Sequence, residues 1–251
     1  MTPLQLVTDM IYPRRCPVCD RPVKPPGALI CGDCVNVPLK VEGRDGKTAL
    51  CAKCGKPLAD PGEVYCPDCA RLPHLFDEGC AVFRYRSVSG ALYRFKYEGR
   101  QEYAAWFGKV MADKLLQAFP ERKLLERYGK PHPDLLVPVP VSKQRMAQRG
   151  YNQAALLARE ISKRTGIASG EDALVRSRHT APLRGMSFSM RQRCLESTFH
   201  AASNDVKSKL IVLVDDIYTT GATMDACSRA LLSAGARGML FITLAIGESL
   251  T

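Results

Sequence analysis

The stretch Leu210–Thr223, LIVLVDDIYTTGAT, limits the fold more than any other part of this 251-residue chain. Its first five residues form an unbroken aliphatic run, too short for a typical helix and rich in β-branched side chains. Such a run reads as a strand buried on both faces of a parallel sheet. Charge has no place inside it, so Asp215 and Asp216 are expected where the strand ends, at the rim where open α/β sheets bind ligands. Tyr218 to Thr223 make a hydroxyl-rich turn, and Met224, Cys227, Leu231 and Ala234 then follow at the spacing of one helix face. Backbone N–H groups at a helix start attract an anion, Gly221 lets the backbone approach it, and threonine hydroxyls add donors. Ionised carboxylates one step before that cradle accept hydrogen bonds from hydroxyls, a combination suited to a sugar phosphate.

Hydrophobic residues at 46% and charged residues at 24% are ordinary globular values and exclude wholesale disorder. No segment reads as a membrane span. Met1 to Tyr12 carries Asp9 and lacks a basic lead, so it reads as a short amphipathic helix rather than a signal peptide. The protein is expected in the cytoplasm, without membrane insertion. Its net charge of +11 is localised: residues 81–205 hold 22 basic and 11 acidic side chains, while both flanks balance. A basic zone beside a phosphate site implies a polyanionic ligand, either pyrophosphate or a nucleic-acid strand.

Eight of the 11 cysteines form Cys-x-x-Cys pairs: Cys16/Cys19, Cys31/Cys34, Cys51/Cys54 and Cys66/Cys69. The first two pairs, shifted by 35 residues, give the last two without a slip. Proline, glycine and turn residues lie between the pairs, so neither copy has the apolar side chains for a core. Tetrahedral zinc on four thiolates supplies the missing folding energy. Either each copy closes its own site, or the inner pairs share an ion; repetition as a unit favours the first. Cys80, Cys194 and Cys227 stand alone and read as small buried hydrophobes.

Between these regions, Ala81 to Arg86 alternates apolar and basic residues as a strand would, and Ser89-Gly90 reads as a break. Leu92, Phe95, Tyr103, Trp106, Phe107, Val110, Met111 and Leu115 outline helical faces interrupted near Gly99, so these aromatics read as core. Lys96 and Arg100 flank that glycine and are expected to point into the site. Leu135 to Pro140 reads as a second buried strand ended by prolines. A basic turn with Lys143, Arg145 and Arg149 follows, then a helix through Ala154, Leu157, Ala158 and Ile161 closed by Gly166. Strand, cationic turn and helix make a second anion site, and two such sites on one sheet suit a ligand phosphorylated at both ends.

LIVLVDDIYTTGAT resembles the binding motif of the type I phosphoribosyltransferases, which grip the ribose and 5′-phosphate of phosphoribosyl pyrophosphate (PRPP). By that resemblance Asp215 and Asp216 hold the ribose hydroxyls as catalytic residues. Thr219, Thr220, Gly221, Ala222 and Thr223 hold the 5′-phosphate. The Cys-x-x-Cys repeats, Phe95-Lys96-Tyr97, PVPVSKQRMAQRGYNQ and VDDIYTTGAT also run in the order found in the ComF family, the competence-associated phosphoribosyltransferase-like proteins. The resemblance implies an α/β fold with a phosphoribosyltransferase-like parallel sheet flanked by helices over residues 73–251. A small double zinc-ribbon head would occupy residues 1–72.

It further implies PRPP bound with Mg²⁺, two structural Zn²⁺ ions, and an association with DNA uptake. Two functions follow. In one, a nitrogen nucleophile displaces pyrophosphate from the ribose while Lys143, Arg145 and Arg149 stabilise the departing charge and Lys96 helps bind the substrate. In the other, the chain is a non-catalytic PRPP-binding adaptor that engages single-stranded DNA or an uptake-machinery partner. Val175 to Arg193, with Arg176, Arg178, Arg184, Arg191 and Arg193, reads as a mobile arm that closes over pyrophosphate or follows a phosphate backbone. It has Leu183 and Cys194 where the family commonly has Gln and Asn, and His179 within it reads as an incidental surface residue.

Overall fold

The aliphatic run at 210–214 forms the middle of a parallel sheet. The computed structural model describes residues 13–25, 27–43, 46–177, 198–202 and 204–247. Its strands are β1 (Glu78–Arg84), β2 (Leu135–Pro138), β3 (Ala168–Ser169), β4 (Leu174–Arg176), β5 (Phe199–Ala201), β6 (Leu210–Tyr218) and β7 (Gly238–Ile246). Five of them pair in the order β1-β7-β6-β2-β3, every pairing parallel, while β4 and β5 form a separate antiparallel pair. The helices are α1 (Pro67–Arg71), α2 (Tyr85–Tyr97), α3 (Ala104–Ala118), α4 (Glu121–Tyr128), α5 (Lys143–Arg149), α6 (Gln153–Thr165) and α7 (Ala222–Ser233). This is the expected parallel α/β sheet flanked by helices.

Period-two alternation along β6 sorts two cores. Leu210, Val212 and Val214 pack with side chains of α2, α3 and α6, whereas Ile211 and Leu213 pack with Met224, Cys227 and Leu231 of α7. Each fully buried aliphatic side chain contributes about 1.5–3 kcal/mol relative to exposure. The two halves of the cysteine-rich region divide the same way. Val18, Leu29 and Ile30 lie against the α2/α3 core, and Cys51, Cys54 and Cys66 are part of the α7 core.

Three local readings change. The expected strand at 81–86 begins earlier and ends at Arg84, and α2 runs straight through Ser89-Gly90. Val88, Ala91, Leu92 and Phe95 recur at helical spacing and are buried, which outweighs the roughly 1 kcal/mol helix cost of one glycine. The basic turn after β2 is the helix α5, started by Ser142, whose hydroxyl accepts from the Arg145 N–H, and stopped by Gly150 at φ 77°. Finally, β6 does not end at Val214. Its pairing with β7 continues through Asp215, Ile217 and Tyr218, so the acid pair lies within the strand. The expected helix over residues 1–12 lies outside the described residues.

At the other end of the sheet two aspartates close the strand edges. Asp134 donates its N–H to the Leu210 carbonyl, and its Oδ2 accepts the Leu210 N–H at 2.7 Å. Asp77 makes the same reciprocal pair with Met239, its N–H to the carbonyl at 2.7 Å and its Oδ2 from the N–H at 2.8 Å. Leu210 and Met239 are fully buried, so removing either carboxylate strands a backbone donor. Asp134→Ala and Asp77→Ala are each expected to lower unfolding free energy by about 1–3 kcal/mol. The two losses should add, because they act on different strands; urea unfolding of the single and double variants measures both.

Candidate sugar-phosphate and zinc sites

The chain leaves β2 toward β3 on one side and β6 toward β7 on the other, so the connections diverge between β2 and β6. Open α/β sheets form their ligand crevice at such a point, beyond the carboxyl ends of the strands. A cavity of about 510 Å³ opens there. Asp215 and Asp216 from β6, Thr219 to Thr223 from the turn, Arg145 and Arg149 from α5, and Lys96 from α2 all line it. Thus the acid pair and the cationic element, which could have lain on opposite edges, face one space.

The carboxylates are not equivalent. Strand alternation points Asp216 to the α2 face, where its Oδ2 lies 2.5 Å from Lys96 Nζ. Asp215 points to the α7 face, beside the influence of Arg145 and Arg176. Its pKa is raised to about 7, first by burial and then by the Asp216 charge, against the opposing pull of the Asp216 N–H, Lys96 and Arg145. The Asp216 N–H donates to Asp215 Oδ1 at 2.8 Å.

On the cationic side, Arg149 donates to Gln153 Oε1 and to the Tyr97 hydroxyl, each at 3.0 Å, with its guanidinium 4.8 Å over the Tyr97 ring. α6 points its N-terminus at the cavity, its first turn capped by Asn152, whose Oδ1 accepts from the Ala154 N–H. Arg149 Nε and Gln153 Nε2 are buried without a hydrogen-bond partner among the described residues, although both residues line the cavity. Buried donors of this kind need an acceptor, and an anion at a helix N-terminus supplies one. Across the cavity, Gly221 adopts φ +86° to turn β6 into α7, leaving the first-turn amides of α7 at the opening.

The cysteines group as two copies, each closing its own cluster: Cys16, Cys19, Cys31 and Cys34, then Cys51, Cys54, Cys66 and Cys69. Within each, the sulfur atoms all lie within 4.8 Å of one another. Tetrahedral zinc with Zn–S bonds of about 2.3 Å sets ligand edges near about 3.8 Å. The Cys54 and Cys66 sulfurs, 3.7 Å apart, meet that spacing. Both donor sets fit structural zinc. Cys80 and Cys227 are buried, as expected of lone cysteines, and burial pushes the Cys80 thiol up to about 12.

Two expected residues lie elsewhere. Lys143 is exposed and does not line the cavity, and Arg100 Nε lies 3.6 Å from Asp20 of the first cysteine copy. Arg176 lines the cavity from β4, with its guanidinium over the Phe199 ring, whereas Arg178, Arg184, Arg191 and Arg193 lie outside the described residues, as do His179, Leu183 and Cys194. Tyr85, Tyr97, Asn152 and Gln153 are cavity residues that pattern reading missed. The signal for the tyrosines was the spacing of Tyr85, Tyr93 and Tyr97, eight and then four residues apart, all three exposed along α2.

Two outcomes follow. Because folding raises the Asp215 pKa, the native state holds a proton that the unfolded chain gives up, so stability falls as pH rises from about 4 to about 7. Asp215→Asn is expected to flatten that fall and to be more stable than the parent at pH 8 by about 1–2 kcal/mol, with little difference at pH 4, in urea titrations. The purified chain is also expected to carry two zinc ions by elemental analysis, and prolonged chelation should lower its thermal midpoint.

The family model for the double zinc ribbon domain matches residues 7–70. Competence protein F of Haemophilus influenzae is 31% identical over 150 residues, 59% of this chain and 63% of that protein. DNA utilization protein YhgH of Escherichia coli K12 is 30% identical over 149 residues, 59% of this chain and 63% of that protein. Competence protein ComFC of Bacillus subtilis is 29% identical over 163 residues, 64% of this chain and 60% of that protein. The chain thus spans less than two thirds of the length of these curated relatives. A solved glutamine PRPP amidotransferase from B. subtilis, complexed with ADP and GMP, overlaps 57% of this chain and 26% of its own, at 19% identity and a TM-score of 0.36, too loose a likeness to weigh. Among the described residues no helix is long and apolar enough to cross a membrane. The chain is thus similar to competence proteins F and ComFC over about 60% of its length, and it joins a double zinc ribbon to a parallel α/β domain.

Proposed function

We propose that the cavity binds PRPP with Mg²⁺ and that the chain transfers the phosphoribosyl group to a nitrogen nucleophile. One observation carries the reading: an acid pair, a glycine turn at a helix start and a second, cationic helix start line a single cavity. The 5′-phosphate would sit on the first-turn amides of α7 with Thr219, Thr220 and Thr223, and the ribose hydroxyls would donate to Asp215 and Asp216. Pyrophosphate would take the opposite end, where Arg145, Arg149 and the α6 N-terminus converge. Mg²⁺ would neutralise pyrophosphate oxygens near the acid pair. Attack by nitrogen at C1 forms the N–C bond as the C–O bond to pyrophosphate breaks, and the attacking nitrogen's proton leaves to solvent. Arg145 and Arg149 offset the charge on the departing group.

Relatives named for competence and DNA utilization support a DNA-related role, and a second reading keeps PRPP binding but omits turnover. It is favoured by Tyr93 and Tyr97, about 60% exposed, with ring centroids 5.1 Å apart beside Arg149. Exposed aromatic rings next to cations are where single-stranded DNA bases stack. Calorimetry with PRPP and Mg²⁺ tests the common part. Binding is expected in the parent, lost in Asp216→Asn, and about tenfold weaker in Arg149→Ala; unaltered affinity in both variants would refute the site. Pyrophosphate release across a panel of bases and amines then separates transferase from adaptor, the adaptor giving no release and salt-sensitive DNA binding.

A further inference from the structure

Resting on the reading of Thr219–Thr223 as a phosphate cradle, we propose that His74 is a positioning residue of that cradle. The second cysteine cluster holds it there, so zinc on Cys51, Cys54, Cys66 and Cys69 shapes the phosphate site. The contact is close: a Cβ on Gly221 would meet His74 Cε1 at 2.7 Å and Tyr218 Oη at 2.8 Å. His74 Nδ1 donates to Asp225 Oδ2 at 2.9 Å, with the two side chains 1% and 3% exposed. The other Asp225 oxygen accepts the Leu75 N–H at 2.8 Å. Asp225 stands in the first turn of α7, its own N–H bonded to the Gly221 carbonyl at 2.8 Å.

The electrostatics give these bonds a purpose. An acid in the first turn satisfies the helix dipole, but there it also repels an incoming phosphate. His74 and the Leu75 N–H engage both oxygens of Asp225 and turn its charge toward residues 74–75, away from the cradle. That segment follows α1, which carries Cys69, and is fastened to the cysteine copy at several points. The His74 ring stacks on Phe76 at 4.7 Å, and Lys53, between Cys51 and Cys54, lies 5.4 Å over Phe76. Lys56, 5.8 Å over the Tyr218 ring, pairs with Asp68 at 2.6 Å with its side chain only 3% exposed. Among the described residues the first cysteine copy shows no such route and packs on the α2/α3 face.

The test compares full-length variants by peptide hydrogen exchange over residues 218–226 and by calorimetry with PRPP and Mg²⁺. His74→Ala is expected to retain two zinc ions, speed exchange in that peptide and weaken PRPP binding about tenfold. His74→Asn, which restores a side-chain N–H near the Nδ1 position, should recover both. Adding Asp225→Asn to His74→Ala should recover affinity in part, because the repelling charge is gone; a merely structural role for the pair predicts further loss. Cys69→Ser should lose one zinc and speed exchange in the same peptide, while Cys19→Ser should lose one zinc and leave it unchanged. Parent-like exchange in His74→Ala or Cys69→Ser, or faster exchange in Cys19→Ser as well, would overturn the proposal. If the parent itself fails to bind PRPP, the sugar-phosphate reading falls, and the exchange comparison still decides the zinc coupling.

Discussion

The cavity exists because β6 outruns β2. Parallel pairing holds the two strands together to Pro138 and Val214, with the Val139 N–H still reaching the Val214 carbonyl at 2.9 Å. Beyond that, Pro140 has no N–H to give and the chain turns away toward α5. β6 continues on β7 alone. Alternation makes the Asp216 N–H point to the side that β2 has vacated, and Asp215 accepts it in place of a strand. Two carboxylates are therefore held by a paired backbone on one edge and opened to ligand on the other. A longer β2 would cover them, and a shorter β6 would leave them on a loop.

Charge around the pair follows from the same geometry. Successive strand residues face opposite sides, so each carboxylate meets cations from a different layer: Lys96 of α2 for Asp216, and Arg145 and Arg176 for Asp215. With Arg149 added, the cavity wall carries more cationic than acidic side chains. Such a wall favours a ligand of high negative charge that also offers hydroxyls to the acids. Lys96 on Asp216 makes this largely buried acid tolerable, since a buried carboxylate needs a partner.

Much of this arrangement was legible in the sequence, because it rests on short-range rules. The apolar run, the glycine turn and the Cys-x-x-Cys spacing each fix local geometry and sit where their patterns place them, while the acid pair lies at the cavity but inside the strand rather than past its end. Readings failed where tertiary contacts outweigh local preference. Ser89-Gly90 passes through a helix because four buried side chains beside it demand one, and Arg100 turns to Asp20 because the first cysteine copy lies against α2 and α3. Asn152 and Gln153 close the PVPVSKQRMAQRGYNQ segment without a role that spacing could assign; they matter because α6 begins at the cavity. The pairing of His74 with Asp225, 151 positions apart in the chain, is beyond any periodicity.

The repeat itself changes meaning once folded. Two copies with the same spacing suggest two equal parts of one head, yet they pack on opposite faces of the sheet, against different elements that lead to the cavity. The first reaches α2, the helix of Lys96: Asp20 accepts from Tyr103 Oη at 2.6 Å, and Arg94 donates to the Pro17 carbonyl at 3.0 Å. The second reaches the turn into α7 through His74, Phe76 and Tyr218. Neither copy has an apolar core, so each depends on its metal for shape. Zinc bound at the two clusters would sit behind different elements, one near the helix of Lys96 and the other near the segment that packs on the glycine turn. A repeat with one cysteine spacing thus supplies two unlike packing surfaces on the two faces of one sheet.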